Sequence, residues 1–219
     1  MGIIDPEQLR RRWHPELVEA VRAIIEPWNP KLSIRDFPRH AVQPLVGEHE
    51  GLVDLRGFPL RKVQGWRADH IDFSYSRSPP NQHGIDELVF VDGVLSDCKF
   101  NESGVFHQIA GTIRRVEFRR SKMIGCRLSA QFDGCDFDEA NLRKAVLAHT
   151  FQNCRFHRTK FRWATVSCTF ERCDFAECDF KMSGYDGPDL NQLDTVNLKI
   201  ECLGGKSGPR ITEFSHTTG

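Results

Sequence analysis

The feature that most constrains this chain is a gapless repeat of 19 residues. FDGCDFDEANLRKAVLAHT from Phe132, FQNCRFHRTKFRWATVSCT from Phe151 and FERCDFAECDFKMSGYDGP from Phe170 align end to end, and IRRVEFRRSKMIGCRLSAQ from Ile113 fits the same frame. Within a unit, large apolar residues stand five apart with one four-residue step. The series runs Phe118, Met123, Leu128, Phe132, then Phe137, Leu142, Leu147, Phe151, then Phe156, Phe161, Val166, Phe170, and then Phe175, Phe180, Tyr185. A helix of period 3.6 cannot keep this spacing on one face, and neither can one continuous strand of period two. A chain that turns a corner every five residues can, which predicts a four-sided coil with one shortened side.

Two residues before each large residue stands a small one. Val116, Cys135, Cys154 and Cys173 occupy one side, Ser121, Ala140, Thr159 and Cys178 the next, and Cys126, Ala145, Ala164 and Ser183 the third. In extended backbone, residues i and i+2 share a face, so each side contributes one large and one small residue to the interior. Such a section packs tightly and leaves little room for a ligand.

The units CDFDE, ANLRK, CRFHR, TKFRW, CDFAE and CDFKM, with VDLRG and CKFNE earlier, resemble the pentapeptide-repeat family. The resemblance covers Leu55 to Tyr185 and is most specific from Phe118 onward. It implies an all-β fold, a right-handed quadrilateral parallel β-helix, here of about seven coils. The recurring four-residue side departs from the family pattern and gives a period of 19, not 20. The best-known members protect DNA gyrase from quinolones and resemble duplex DNA in shape and negative charge.

The expected organisation is a helical cap over 1–48, the β-helix over 49–189 and a closing strand and tail over 190–219. Asp5-Pro6 and His14-Pro15 read as helix starts, and Leu17, Val18, Val21, Ile24 and Ile25 form an apolar stripe at helical spacing that stops near Glu26-Pro27. A solenoid needs its end covered, so capping is the expected role of this segment, with partner binding the second reading. Leu55 and Leu60 face inward in the first coil and Phe73 opens the second. SRSPPNQHGID, residues 76–86, has the composition of a protruding loop, with Arg77, Pro79, Pro80 and His83 as candidate contacts. Regular spacing resumes at Phe90, Leu95, Phe100 and Val105. Val196, Leu198 and Ile200 alternate as in a strand that closes the far end or pairs with a second copy, making a homodimer.

Cys98, Cys126, Cys135, Cys154, Cys168, Cys173 and Cys178 take small inward slots, as packing residues. A zinc or redox site would need side chains converging from several directions. His149 falls in register with Ala130 and Cys168, hence inward, either as a hydrogen-bonded neutral imidazole or as a buried pH sensor or ligand. No GxSxG, P-loop, GxGxxG or HExxH motif is present, so the chain reads as non-enzymatic and without cofactor or metal. A left-handed hexapeptide acyltransferase helix would need a period of six.

Lys and Arg number 30, as do Asp and Glu, so no global field steers the molecule to an anionic polymer or membrane. The N-terminus lacks the apolar core of a signal peptide, and Pro6 stands where a myristoylation motif wants Ser or Thr, so the expected compartment is the cytoplasm. The outward columns Arg120, Glu139, Arg158, Glu177 and Glu117, Asp136, Arg155, Asp174 largely alternate in sign, unlike a continuous acidic DNA-like surface.

One side differs. Arg143, Arg162 and Lys181 stack with like charge, beside Lys144, Trp163 and Met182, with Lys160 adjoining. Either a loop or tail covers Trp163, or this side binds an acidic protein or, less in keeping with the neutral net charge, nucleic-acid phosphate. The resulting expectation is a rigid protein-interaction scaffold with a protein partner of unstated identity, the alternative being a topoisomerase-protecting or toxin-immunity protein.

Overall fold

The computed structural model describes residues 5–25, 35–60, 63–64, 66–77, 88–96, 99–101, 103, 106–175, 177–179 and 184–185. Its helices are α1 (Pro6–Arg11), α2 (Pro15–Ile25) and α3 (Arg39–Val46). Its strands are β1 (Arg35–Asp36), β2 (Glu48–His49), β3 (Leu52–Asp54), β4 (Val63–Gln64), β5 (Trp66–Asp69), β6 (Ile71–Asp72), β7 (Leu88–Ser96), β8 (Phe106–Arg114), β9 (Arg127–Asp133), β10 (Val146–Gln152), β11 (Thr165–Glu171) and β12 (Gly184–Tyr185). The long sheet runs β1-β5-β7-β8-β9-β10-β11-β12, every pairing parallel. Sequential strands that pair in parallel within one sheet make a β-solenoid.

The repeat length sets the register. Gln108 pairs with Arg127, Arg127 with Val146, Val146 with Thr165 and Thr165 with Gly184, each step 19 residues. The regular solenoid is therefore about four turns, fewer than the seven expected from counting every coil-like segment. Above it the steps loosen: Arg67 pairs with Val94, and the β7–β8 register shifts twice.

Corners recur at residues held in left-handed backbone. Arg115, Arg120 and Gly125 begin the set, Gly134, Glu139 and Lys144 repeat it, and Asn153, Arg158 and Trp163 repeat it again, with φ between 48° and 70°. Left-handed backbone is costly for residues with a Cβ. In the first two sets the corner amides bond to the next coil: Arg115 N donates to Asp133 O (2.8 Å), Arg120 N to Asp138 O (2.9 Å) and Gly125 N to Arg143 O (2.8 Å). In β9 the four-residue step from Leu128 to Phe132 contains no such left-handed residue. Leu128, Ala130 and Phe132 are all buried along one continuous strand, β9, in simple alternation.

The interior follows the sequence pattern. Phe73, Phe100, Phe118, Phe137, Phe156 and Phe175 stack in one column, with ring centroids 4.8–5.7 Å apart. Phe132, Phe151 and Phe170 make a second. The small slots tolerate polar atoms because each donor finds a carbonyl of the preceding coil. Ser103 Oγ donates to Phe73 O (3.1 Å), Ser121 Oγ to Phe100 O (2.6 Å), Thr159 Oγ1 to Phe137 O (2.8 Å) and Cys178 Sγ to Phe156 O (2.5 Å).

The cap matches its sequence signals. Asp5 Oδ1 accepts from Glu7 N (2.9 Å) at the start of α1, and Val18, Val21 and Ile25 of α2 are buried. α3 was not foreseen, because Pro44 lies inside it. The cap locks onto the first coil through Arg12, which contacts Asp54 and Arg56, and through Trp13, whose Nε1 donates to Arg56 O (2.7 Å) while its ring meets Phe58 edge-on at 4.9 Å. Gly57 lies where a Cβ would approach the Leu9 carbonyl carbon to 3.3 Å, a tight fit that, with φ +74°, favours glycine. No helix among the described residues is long and apolar enough to cross a membrane.

Candidate functional site

The basic corner is built by three stacked two-residue turns: Ile124-Gly125, Arg143-Lys144 and Arg162-Trp163. Met123, Leu142 and Phe161, fully buried, precede them and fix each turn to the core. Gly125 N donates to Arg143 O (2.8 Å) and Lys144 N to Arg162 O (3.0 Å), so the turns sit in register. At Lys144 and Trp163 φ is 59°, which swings both side chains outward.

The outcome is a convergence on one ring. The guanidinium carbons of Arg162 and Arg143 lie 4.3 and 5.1 Å from the Trp163 ring centre, and Lys144 Nζ lies 5.9 Å away. Cations over an indole face are attracted by its quadrupole, by about 0.5–1 kcal/mol each where exposed. Arg162 Nε is enclosed without a hydrogen-bond acceptor. No carboxylate among the described residues pairs with Arg143, Lys144 or Arg162. Three cations with no carboxylate partner among the described residues, around a half-buried indole, can hold an anionic group and a flat or aliphatic surface beside it.

Sequence reasoning brought together Arg143, Lys144, Arg162 and Trp163, and they do meet. Lys160 is exposed on the preceding side, its backbone bridged to Asn141 and Asp179, and it is not among the cations over the indole. Lys181 and Met182 lie outside the described residues. Ile124 and Gly125 were missed. Ile124 is one of two large hydrophobics among the described residues that are well exposed, at 43%. Its signal was available: it occupies the corner column of Arg143 and Arg162, but an isolated surface isoleucine draws no notice.

The loop candidates fare differently. Arg77 is exposed, whereas Pro79, Pro80 and His83 lie outside the described residues. Ser76, expected in the loop, is buried in the second coil, where its amide donates to Phe73 O (3.1 Å) and its hydroxyl to Leu55 O (3.4 Å).

His149 corrects an expectation. It pairs with Cys168 but is exposed, with φ 73°, and the β9–β10 ladder skips Ala148 and His149. A left-handed residue within a strand turns its side chain away from the alternating face, so the imidazole leaves the interior slot that Ala130 and Cys168 fill.

Cys126, Cys135, Cys154, Cys168, Cys173 and Cys178 are free thiols and buried, while Cys98 lies outside the described residues. Burial pushes the Cys126, Cys154 and Cys168 thiols up, away from the reactive thiolate. Among the described residues no three His, Cys, Asp or Glu side chains gather as a metal set.

The charge columns are partly ion-paired, within themselves and to neighbouring residues. Asp136 is shared by Arg119 (2.6 Å) and Arg155; Arg155 also meets Asp138 (2.9 Å), Arg158 meets Glu139 (3.3 Å) and His157 meets Asp174 (2.5 Å).

Residues 113–167 match the family model for pentapeptide repeats, in eight copies. No curated protein matches the chain. Among solved structures, full-length QnrB1, a plasmid-mediated fluoroquinolone resistance protein, is similar at 13% identity, covering 59% of this chain and 85% of its own, with a TM-score of 0.26. A trypsin-treated QnrB1 variant is similar at 13% identity over 63% of this chain and 78% of its own, with a TM-score of 0.24.

Proposed function

We propose that this chain, a pentapeptide-repeat protein over residues 113–167, is a rigid interaction scaffold that presents its basic, tryptophan-bearing corner to an acidic protein partner. The observation that carries the reading is the convergence of Arg143, Lys144 and Arg162 on Trp163 with no carboxylate among the described residues to neutralise them. Elsewhere several cations of the coils meet carboxylates of a neighbouring coil, as Arg155 meets Asp136 and Arg158 meets Glu139. Like charges in adjacent strands are mildly destabilising, so their retention at one corner favours a role outside the fold. Trp and Arg are also the residues most enriched where binding energy concentrates.

The test is a pull-down from the native cell with the full chain and with the Arg162→Ala/Trp163→Ala double variant. A partner held by the first and lost by the second, with the thermal melt of the variant within a few degrees, is the expected result. A large loss of stability would make the corner structural instead. The alternative, protection of a topoisomerase, calls for a continuous acidic side, and the ion-paired columns speak against it. A gyrase supercoiling assay with and without quinolone separates the two, since protection by this chain would favour the alternative.

A further inference from the structure

We infer that the binding corner continues one coil upward through Gly125 and Ile124, and that the whole corner accepts an acidic α-helix carrying one aliphatic side chain; this rests on the scaffold reading above.

Gly125 occupies the corner one coil above Lys144. Its φ of 70° is matched by Lys144 and Trp163 at 59° in the next two coils, so the turn itself does not require glycine. A Cβ placed on Gly125 would meet nothing within 4 Å, so packing does not require it either. What glycine does is leave the corner bare directly above Lys144. Beside that bare position Ile124 is 43% exposed, where the column below it offers Arg143 and Arg162. The surface therefore passes, along the solenoid axis, from an aliphatic knob beside an empty position to three cations around an indole.

Spacing sets the form of the occupant. Successive coils repeat about every 4.8 Å, the separation of neighbouring strands. A helix repeats about every 5.4 Å, and its i and i+4 side chains stand about 5–6 Å apart on one face. An extended strand presents same-face side chains about 6.6–6.8 Å apart, a poorer match. An aliphatic residue on one helical turn would rest on Ile124 over Gly125, and acidic residues on the following two turns would reach Arg143 with Lys144 and Arg162 with the Trp163 edge. The aliphatic contact and the zero net charge of the chain favour a protein segment over a nucleic acid, whose phosphates and bases would engage the cations and the indole but give Ile124 no aliphatic partner.

The experiment uses the full chain and a fluorescent, alanine-rich 15-residue helical peptide with Leu at one position and Glu four and eight residues later, read by anisotropy. Controls are the same peptide with Leu→Ser, the same peptide with both Glu→Gln, and a single-stranded 15-nucleotide DNA. The expected result is binding of the first peptide that weakens at least fivefold for each changed peptide, and also for Ile124→Ser and Gly125→Lys. Gly125→Lys fills the empty position in a backbone state that Lys144 already adopts, and an unchanged melt verifies its fold. Binding that depends on Glu, Arg162 and Trp163 but is indifferent to Leu, Ile124 and Gly125 would overturn this inference and leave the scaffold reading standing. DNA binding that exceeds peptide binding, or no peptide binding at all, would overturn it as well; if Arg162→Ala/Trp163→Ala also retained every cellular partner, the scaffold reading would fall with it.

Discussion

Arg12, in the cap, donates to both carboxylate oxygens of Asp54 in the first coil, through Nη1 at 2.6 Å and Nη2 at 2.8 Å. Arg56 grips the same carboxylate from its other side, Nε at 2.9 Å and Nη2 at 3.0 Å. Burial pushes the Asp54 carboxyl upward, but the hydrogen bonds from Arg56 and Arg12 outweigh it and hold the group well below the usual carboxylate range. This acid, with the Trp13 contacts to Arg56 and Phe58, joins the helices to the solenoid.

Asp54→Asn should therefore destabilise the protein by about 3 kcal/mol near neutral pH, the cost of breaking a buried pair from one side. The pH dependence has a definite sign. A depressed folded pKa contributes stability in full above the unfolded value of about 4, and loses it as pH falls below that. Urea midpoints of wild type and variant should differ most at pH 7 and draw together at pH 3. A gap that stays constant would show that the ionised carboxylate does not carry the contact.

Phe137 stacks between Phe118 and Phe156, at 5.0 Å from each. Phe137→Ala opens a cavity in a fully buried column and should cost about 3–5 kcal/mol. Phe175→Ala, one coil further along, touches Phe156 at 4.8 Å and tests how cooperativity falls off toward the end of the regular coils. Chemical denaturation of both variants gives the comparison.

Outward His149 predicts that His149→Gly will be neutral or stabilising by about 1 kcal/mol, since glycine adopts positive φ without the Cβ penalty. Cys168→His, at the paired buried position, should instead cost about 2 kcal/mol or more through overpacking and an imidazole without a partner. Equal losses at the two sites would return His149 to the interior.

The buried thiols should resist labelling. In native protein at pH 8, a thiol reagent followed by peptide mapping should leave Cys126, Cys135, Cys154, Cys168, Cys173 and Cys178 unmodified, and denaturant should expose all six. Rapid native modification of Cys154 would contradict its burial at the centre of the Cys135–Cys154–Cys173 stack.

Much of this architecture was legible in the sequence because a repeat writes the same physical requirement many times. Large residues five apart and small residues two before them could be checked in four consecutive units, so the buried columns, the 19-residue register and the inward cysteines were readable without coordinates. The helical stripe Leu17, Val18, Val21, Ile24 and Ile25 announced the cap in the same way. The candidate corner was half legible: Arg143 and Arg162 share one column and Lys144 and Trp163 the next, and column membership follows from the period alone.

Tertiary structure decided what the period leaves open, and the reason is that a period counts residues while a side chain's direction depends on φ. His149 occupies an interior slot by count and faces outward by backbone. The four-residue step looked like a short side and is a strand running through. Gly125 and Ile124 carried no signal as isolated residues and gained meaning only when stacking set them above Lys144 and Arg143. The repeat alone specifies the coil and what fills it; the fold adds that three cations converge on one indole, and that Asp54 and Trp13 tie the cap to the first coil.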